Sequence, residues 1–477
     1  MFTSLLIANR GEIARRIIRT CRRMGIRTIA VYSDADAGSL HVKEADTAVC
    51  IGGFTPRESY LVAEKVLEAA RRTGAQAVHP GYGFLSENAS FASSVISEGM
   101  VFVGPSPEAI TMLGDKTAAR DLAVSSGVPI APGSVGAIQS LNDAQTLVAD
   151  IGVPVIIKAA AGGGGKGMRI VEHAAELESA FRLAQAEALS SFSDERVFIE
   201  RYVRNPRHIE IQILADHHGT VLYFPERECS VQRRHQKVIE ESPSTAITPS
   251  IRAAMGQAAA RLVKAAGYTN AGTLEFLLDA SGEFYFMEVN TRLQVEHPVT
   301  EAISGVDFVE QQLLIAAGKP LTISQTDIEQ PKGHAIECRV CAEDVFADFI
   351  PEIGRVEMLY LPEGDGIRND HAIEVGSEVS VHYDPMIAKL IVWAPTRTEC
   401  IDRTIQALDN YHLGGLKTTI PFCRLAIDSE PFRSGNYSTG FVHENWPIAL
   451  PDDYLYLVAS IAAGGFSQEL NRRTPRD

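Results

Sequence analysis

Apolar residues recur with two periods along this chain, and the switches between them mark out its elements. Residues 4–9 form an apolar run that reads as a strand. Residues 11–24 then carry Ile13, Ile17, Ile18 and Cys21 at helical spacing, and a second apolar run follows at 28–32. This strand–helix–strand start, with further alternation to about residue 104, predicts an open parallel sheet with helices on both faces. Proline-marked loops at 105–107 and 129–136 read as boundaries. Residues 153–158 and 168–171 read as the arms of a hairpin around a glycine-rich tip. Strand-like runs dominate from 197 to 300, interrupted by a helical stretch at 249–266. Beyond about residue 330 strands continue to 381, and a helix is expected over 397–411. In the tail, Tyr454, Leu457, Val458, Ile461 and Ala462 again fall at helical spacing before a polar end.

Composition changes this picture little. With 477 residues, 45% of them hydrophobic, the chain predicts two to four domains with substantial cores. A formal net charge of −16 argues against nucleic acid or an anionic membrane as partner. No run of about 18 apolar residues is present, so no membrane span is expected. The start, MFTSLLIANRGE, lacks basic residues before its apolar run and does not read as a signal peptide. Seven scattered cysteines suit a reducing cytoplasm better than a disulfide scaffold. Cys338 and Cys341 have no second pair to complete a zinc site. Positions three apart in a strand face opposite sides, so they read as structural thiols. The first helix opens with Gly11 alone, without the G-x-G-x-x-G pattern, which disfavours a dinucleotide site.

Chemistry concentrates in residues 275–301. Asn290, Arg292, Gln294 and Glu296 alternate, so an extended strand would put them on one face. That face would hold an anion clamp, two amides and a candidate base. Upstream, Glu275 and Glu288 lie in the apolar runs TLEFLLD and FYFMEVN, joined by a turn at 280–283. A hairpin would bring them together, and paired carboxylates with an amide oxygen suit a hard cation that bridges nucleotide phosphates. The run 162–167, GGGGKG, lets backbone N–H groups approach an anion closely. It is not a Walker A loop, because Gly167 stands where Ser or Thr would follow. Residues 233–237, RRHQK, form a dense basic run followed by Glu240 and Glu241.

Together these stretches resemble the biotin carboxylase family, ATP-grasp enzymes that carboxylate biotin. The resemblance rests on IANRGEIARRIIR, HPGYGFLSEN, MLGDK, VIIKAAAGGGGKGM, ERECSVQRRHQK, EVNTRLQVEHPVTE and YDPMIAKL, in the family's order along nearly the whole chain. It implies an α/β fold in three parts. These are an N-terminal parallel-sheet, pre-ATP-grasp domain over 1–115, an ATP-grasp domain over 116–330 and a β-rich C-terminal domain over 331–447. A mobile glycine-rich lid would lie at about 132–203, and a helical tail at 448–477. Lys116, Lys158, Gly163, Gly164, Gly165 and Gly167 would meet the ATP phosphates. Glu200, Tyr202 and Val203 would hold the adenine and ribose end, with His208, Gln232, His235 and Leu277 as further nucleotide contacts. Mg²⁺ or Mn²⁺ would sit on Glu275, Glu288 and Asn290. Lys237, Arg292, Gln294, Val295 and Glu296 would bind bicarbonate, with Glu296 as base. Gly83, Gln294, Val295 and Arg339 would meet biotin, and Arg339 would hold its anion.

The implied reaction takes ATP, bicarbonate and carrier-linked biotin to ADP, phosphate and carboxybiotin. No Met-Lys-Met biotinylation motif occurs in these residues. The expected partners are therefore a separate biotin carboxyl carrier protein and a carboxyltransferase subunit, around a homodimer. FIPEIGR and VHYDPMIAK look closer to acyl-CoA carboxylases of the propionyl and methylcrotonyl type than to acetyl-CoA carboxylase. The same half-reaction serving a pyruvate or 2-oxoacid carboxylase remains an open alternative. Carboxylate–amine ligases are disfavoured by the pairing of HPGYGFLSEN with RLQVEHPVTE.

Overall fold

In the computed structural model, which describes residues 1–446 apart from 135, 139, 160–167 and 193, the predicted alternation resolves into two main sheets. Gly163, Gly164, Gly165 and Gly167, and the helical reading of 448–477, lie outside the described residues. The first sheet is parallel. It comprises Ser4–Ile7 (β1), Arg27–Tyr32 (β2), Thr47–Cys50 (β3), Ala77–His79 (β4) and Val101–Phe102 (β5), in the order β3-β2-β1-β4-β5. β1 is buried along its whole length, as expected of a central parallel strand covered on both faces. The helix Gly11–Arg23 buries Ile13, Ile17, Ile18 and Cys21, the stripe read from the sequence.

The hairpin around the glycine run forms as expected. Val155–Ala159 (β6) pairs antiparallel with Met168–Val171 (β7) and with Val197–Arg201 (β8). A nine-stranded sheet follows. Arg207–Ala215 (β9), Val221–Tyr223 (β10), Arg227–Arg233 (β11), Gln236–Ser242 (β12), Asn270–Leu278 (β13), Phe284–Asn290 (β14) and His334–Cys341 (β15) join Ile367–His371 (β16) and Met386–Ala394 (β17). The order is β14-β13-β9-β11-β12-β15-β17-β16, with β10 on the side of β9. The sheet thus runs without a break past residue 330, because β12 pairs with β15.

β9 shows how one strand serves core and site together. Ile209, Ile211 and Ile213 face the helix Pro249–Ala265 in one apolar cluster with Leu274 and Phe276 of β13. Period two then sends His208, Glu210 and Gln212 to the other face. All are buried.

Two local readings change. β14 ends at Asn290, so residues 290–296 are not one strand: Glu296 caps the helix His297–Ser304, which has Pro298 in its first turn. Proline cannot donate to a ladder but suits a helix start, and it wins over the alternation. At Cys338 and Cys341 a bulge after Val340 breaks the simple alternation, and both thiols are buried. All seven cysteines are free thiols. Among the described residues no helix is long and apolar enough to cross a membrane.

Candidate active site

Register builds the site. Glu288 of β14 lies opposite Glu275 of β13, Glu275 opposite Glu210 of β9, and Glu210 opposite Arg227 of β11. Directly opposed residues share a sheet face, so three carboxylates line up beside one guanidinium. Like charges in such a row repel unless cations lie between them. The start of β12 supplies one: Lys237 Nζ bonds Glu210, Glu275 Oε1 at 2.9 Å and Glu296 Oε1 at 2.8 Å. His208 Nε2 supplies another, 3.2 Å from Glu210 and 3.1 Å from Glu275.

The electrostatics follow from this geometry. Burial opposes the charge on Lys237, but Glu210, Glu275 and Glu296 overcome it and hold the ammonium well above its ordinary pKa. Burial likewise opposes charge on His208, yet Glu275 and Glu210 raise it to about 9. Glu296 is pushed up by burial and pulled below the usual carboxylate range by Lys237, with Arg339 and Arg227 contributing. It is therefore an ionised carboxylate whose basicity is suppressed while its cations stay in place. Glu288 behaves oppositely: burial and the charge of Glu275 raise it.

Arg339 closes the far side. Its Nη2 bonds Glu296 Oε2 at 2.9 Å and its Nε bonds Glu240 at 2.6 Å. Gln294 donates to Glu275 at 3.0 Å, and Asn290 donates to the same carboxylate oxygen at 2.9 Å. The Asn290 carboxamide oxygen accepts from Arg292 at 3.1 Å. Arg292 is held mainly by Glu87, whose other oxygen accepts from the Thr291 N–H and hydroxyl. Arg292 thus does not touch Glu296. The two arginines instead meet in a cavity of about 400 Å³ lined also by Gly83, Val295, Gln236 and Tyr82. A larger depression of about 510 Å³ lies elsewhere, between Arg16, Arg368 and Trp393. Its arginines Arg16 and Arg368 pair with Glu301, Asp307 and Asp370, whereas the smaller cavity holds Arg339, the guanidinium that bonds Glu296.

The expected nucleotide contacts are more dispersed. Glu200 is bonded by Lys158 and, at 2.6 Å, by Arg120. Burial raises its pKa, but Lys158, Arg120 and Lys116 bring it below the ordinary value. Lys116 also acts on Glu288, so this lysine sits within electrostatic reach of both Glu200 and the Glu288 end of the row. Leu277 lies opposite His208 on β9 and is half-buried; Val203 is buried and Tyr202 half-buried. Gln232 is opposite Lys237 and donates weakly to Cys229 O at 3.5 Å. The basic run does not face the site as a block. Arg234 and His235 form the two-residue turn at positive φ, and Arg233 and Arg234 pair with Asp348. Of that run, Lys237 alone reaches the carboxylates, and His235 stands exposed at the tip.

Family models match three consecutive stretches: "Biotin carboxylase, N-terminal domain" over 1–110, "Carbamoyl-phosphate synthase L chain, ATP binding domain" over 115–324, and "Biotin carboxylase C-terminal domain" over 337–444. Biotin carboxylase of Halalkalibacterium halodurans is 51% identical over 93% of this chain and 97% of that protein. The chain belongs to the biotin carboxylase family. It is also 48% identical to the propionyl-CoA carboxylase alpha chain of Ruegeria pomeroyi, over 99% of this chain and 73% of that one. Against the human mitochondrial alpha chain the identity is 50%, but this chain spans only 61% of that protein's length. Campylobacter jejuni biotin carboxylase superposes with a TM-score of 0.89 at 44% identity, covering 93% of this chain and 99% of that one. The biotin carboxylase domain of Hydrogenobacter thermophilus 2-oxoglutarate carboxylase, a dimer with MgADP and bicarbonate, gives 0.88 at 45%, over 93% and 98%.

Several residues of this biotin carboxylase fold were missed by the sequence reading. Arg227 is fully buried and bonds Glu210, Gln212, Thr300, Thr273 and Gln294, tying the row to the loop before Glu296. Glu240 clamps Arg339, and Lys389 donates to the Val295 carbonyl at 2.7 Å. A usable signal existed: His208, Glu210 and Gln212 are polar at period two inside an otherwise apolar strand. Glu87 carried no such mark, since its partners lie about 200 residues away in sequence.

Proposed function

We propose that this chain carries out ATP-dependent carboxylation of biotin, using bicarbonate and releasing ADP and phosphate, as the biotin carboxylase component of an acyl-CoA carboxylase of the propionyl or acetyl type. The observation that carries the reading is the chain of contacts Lys237–Glu296–Arg339 opening onto the cavity shared with Arg292. One ionised base and two anion-binding cations meet there within bonding distance, and a second guanidinium lines the same cavity as Arg339. An acceptor of the pyruvate or 2-oxoacid class stays compatible, because the acceptor would meet a different active site.

Each role follows from position. Glu275 and Glu288, opposed across β13 and β14 with Glu288 raised by its neighbour, fit a hard divalent cation, with Asn290 beside them. Mg²⁺ there would offset the charge of the transferring phosphoryl group. Lys116, Lys158 and the glycine run would hold ATP phosphates, and Glu200, Tyr202, Val203, His208, Gln232, His235 and Leu277 the rest of the nucleotide. Bicarbonate entering beside Lys237 and Arg292 would draw Lys237 away from Glu296 and restore that carboxylate's basicity. Glu296 then takes the bicarbonate proton, and the bicarbonate oxygen attacks the γ-phosphorus, with ADP leaving. Carboxyphosphate breaks to CO₂ and phosphate, and the phosphate removes the biotin N1 proton. Arg339, beside Gly83 and Val295, holds the ureido anion as it attacks CO₂, a charge-stabilising role of the oxyanion-hole kind.

We further read the chain as a homodimer with a biotin carrier and a carboxyltransferase as partners, in the cytoplasm. The dimer described for the 2-oxoglutarate carboxylase domain and the seven free thiols support this. Domains at 1–115, 116–330 and 331–447 are the working division. The test is ADP release by the purified chain with MgATP, with and without bicarbonate and free biotin. The reading expects slow hydrolysis that needs both; equal rates with and without them would refute it.

A further inference from the structure

Beside Arg339 lies a pair of acids, and the chemistry above leaves one of them, Glu337, without a role. Glu240 of β12 stands directly opposite Glu337 of β15, and both are fully buried. Glu240 engages Arg339 through one oxygen only. Oε1 accepts from Nε at 2.6 Å and from Nη2 at 2.5 Å, while Oε2 has no hydrogen-bond partner among the described residues. Neither oxygen of Glu337 has one either. Directly opposed residues of adjoining strands sit about 4.5–5.5 Å apart at Cβ, which brings the two carboxyl groups within reach of each other. As carboxylates they would repel, and each unbonded oxygen would bear the cost of lost hydration. The cations nearby are committed elsewhere. Lys389, opposite Arg339 on β17, donates to the Val295 carbonyl and lies 3.3 Å from Glu12. The other surroundings are apolar: period two puts Glu337 on the face of Ala335, which clusters with Ile391, Val299 and Ile303. His297, on the helix that covers this face, is kept neutral by burial and by Lys389.

Resting on the biotin reading, we propose that Glu337 is a positioning residue for Arg339: its carboxyl is protonated and donates to Glu240 Oε2, so that the pair holds one proton and one negative charge. The single charge matches the guanidinium that Glu240 grips, and the shared proton stops Glu240 from turning away. Arg339 then keeps Nη2 on Glu296, where the ureido anion is to be held. Burial pushes the Glu337 carboxyl well above the ordinary carboxylate range, with Glu240 and Glu296 adding to it against Lys389 and Arg339. Burial raises Glu240 too, but Arg339 opposes that directly, so the proton belongs on Glu337.

The experiment uses the full chain as wild type, Glu337→Gln and Glu337→Leu. The infrared difference spectrum of wild type minus Glu337→Gln at neutral pH should contain the carbonyl band of a protonated carboxyl group, shifting in D₂O. Carboxylate bands in its place overturn the proposal, whether or not the leucine variant folds. Glutamine can donate to Glu240 as the acid does, and leucine cannot. Glu337→Gln should therefore keep bicarbonate- and biotin-dependent kcat within about twofold with an unmoved pH profile, while Glu337→Leu lowers kcat about tenfold at unchanged KM for MgATP. A fall in Glu337→Gln as large as in Glu337→Leu, or none in Glu337→Leu, contradicts the positioning role. Absence of turnover in the wild type removes the biotin reading and the positioning role with it, and the infrared band still decides the shared proton on its own.

Discussion

Replacing Lys237 with methionine isolates the charge at the centre of the site while keeping most of the side-chain volume. The ammonium bonds three carboxylates, two of them at 2.8 and 2.9 Å, with 12% of the lysine side chain exposed. Removing one partner of a buried ion pair costs about 3–5 kcal/mol, because the other charge is left uncompensated. Here Glu210 keeps Arg227 and His208, Glu275 keeps His208, and Glu296 keeps Arg339. The loss therefore falls in the lower part of that range and shows as a lower melting temperature. Catalysis suffers separately. Burial pushes Glu296 up, and Lys237 is the strongest of the groups pulling it down. Without the ammonium the carboxyl becomes harder to ionise. The acid limb of the rate profile should then move to higher pH, and turnover at neutral pH should fall about a hundredfold or more, which is roughly 3 kcal/mol. Lys237→Arg, which keeps the charge, should leave the acid limb near its wild-type position. The assay is bicarbonate- and biotin-dependent ADP release from about pH 5.5 to 9. An acid limb unmoved in Lys237→Met would refute the claim that this lysine keeps Glu296 ionised.

Other expectations follow from the same contacts. Glu288→Lys places a cation where a divalent ion would sit and should abolish Mg²⁺-dependent nucleotide binding; calorimetry showing wild-type MgATP affinity would remove Glu288 from the metal site. Glu241 is buried and raised by that burial, but His334 and Arg397 override it and bring it to about 2. With its folded pKa below the unfolded value, its stabilisation is present above about pH 4.5 and drains away as pH falls toward 2. That amounts to on the order of 3 kcal/mol, and denaturant melts of Glu241→Gln should lose this part of the acid sensitivity. Light scattering should give a dimer mass, and a strictly monomeric mass at micromolar concentration would contradict it. Arg292→Ala should abolish biotin-dependent turnover while largely sparing ATP binding, as measured by nucleotide titration.

The fold was largely legible because its elements obey simple periods. Ile13, Ile17 and Ile18 form the buried stripe of the first helix, and the turn at 280–283 sets Glu275 against Glu288. Alternation failed where a second rule competed. The polar set from Asn290 to Glu296 kept its period of two, but Pro298 started a helix and took Glu296 out of any strand. Gln294 and Glu296 still reach the row, through Glu275 and Lys237, because the loop folds back over β13. Arg227, Glu240 and Glu87 were not legible for a different reason. Their partners come from distant strands and loops, and no local spacing encodes a register between β11, β12 and the loop after β14. The basic run misled by composition, since two of its arginines serve Asp348 instead of the substrate face.

The central claim is that this site moves the carbon of bicarbonate onto biotin at the cost of ATP. The direct measurement is transfer of label from ¹⁴C-bicarbonate to biotin on incubation of the purified chain with MgATP, with the unstable product trapped before analysis. The account predicts labelled carboxybiotin in amounts matching the ADP formed, and none from Glu296→Ala or without ATP. ADP formation with no label on biotin, or equal labelling by Glu296→Ala, would contradict it.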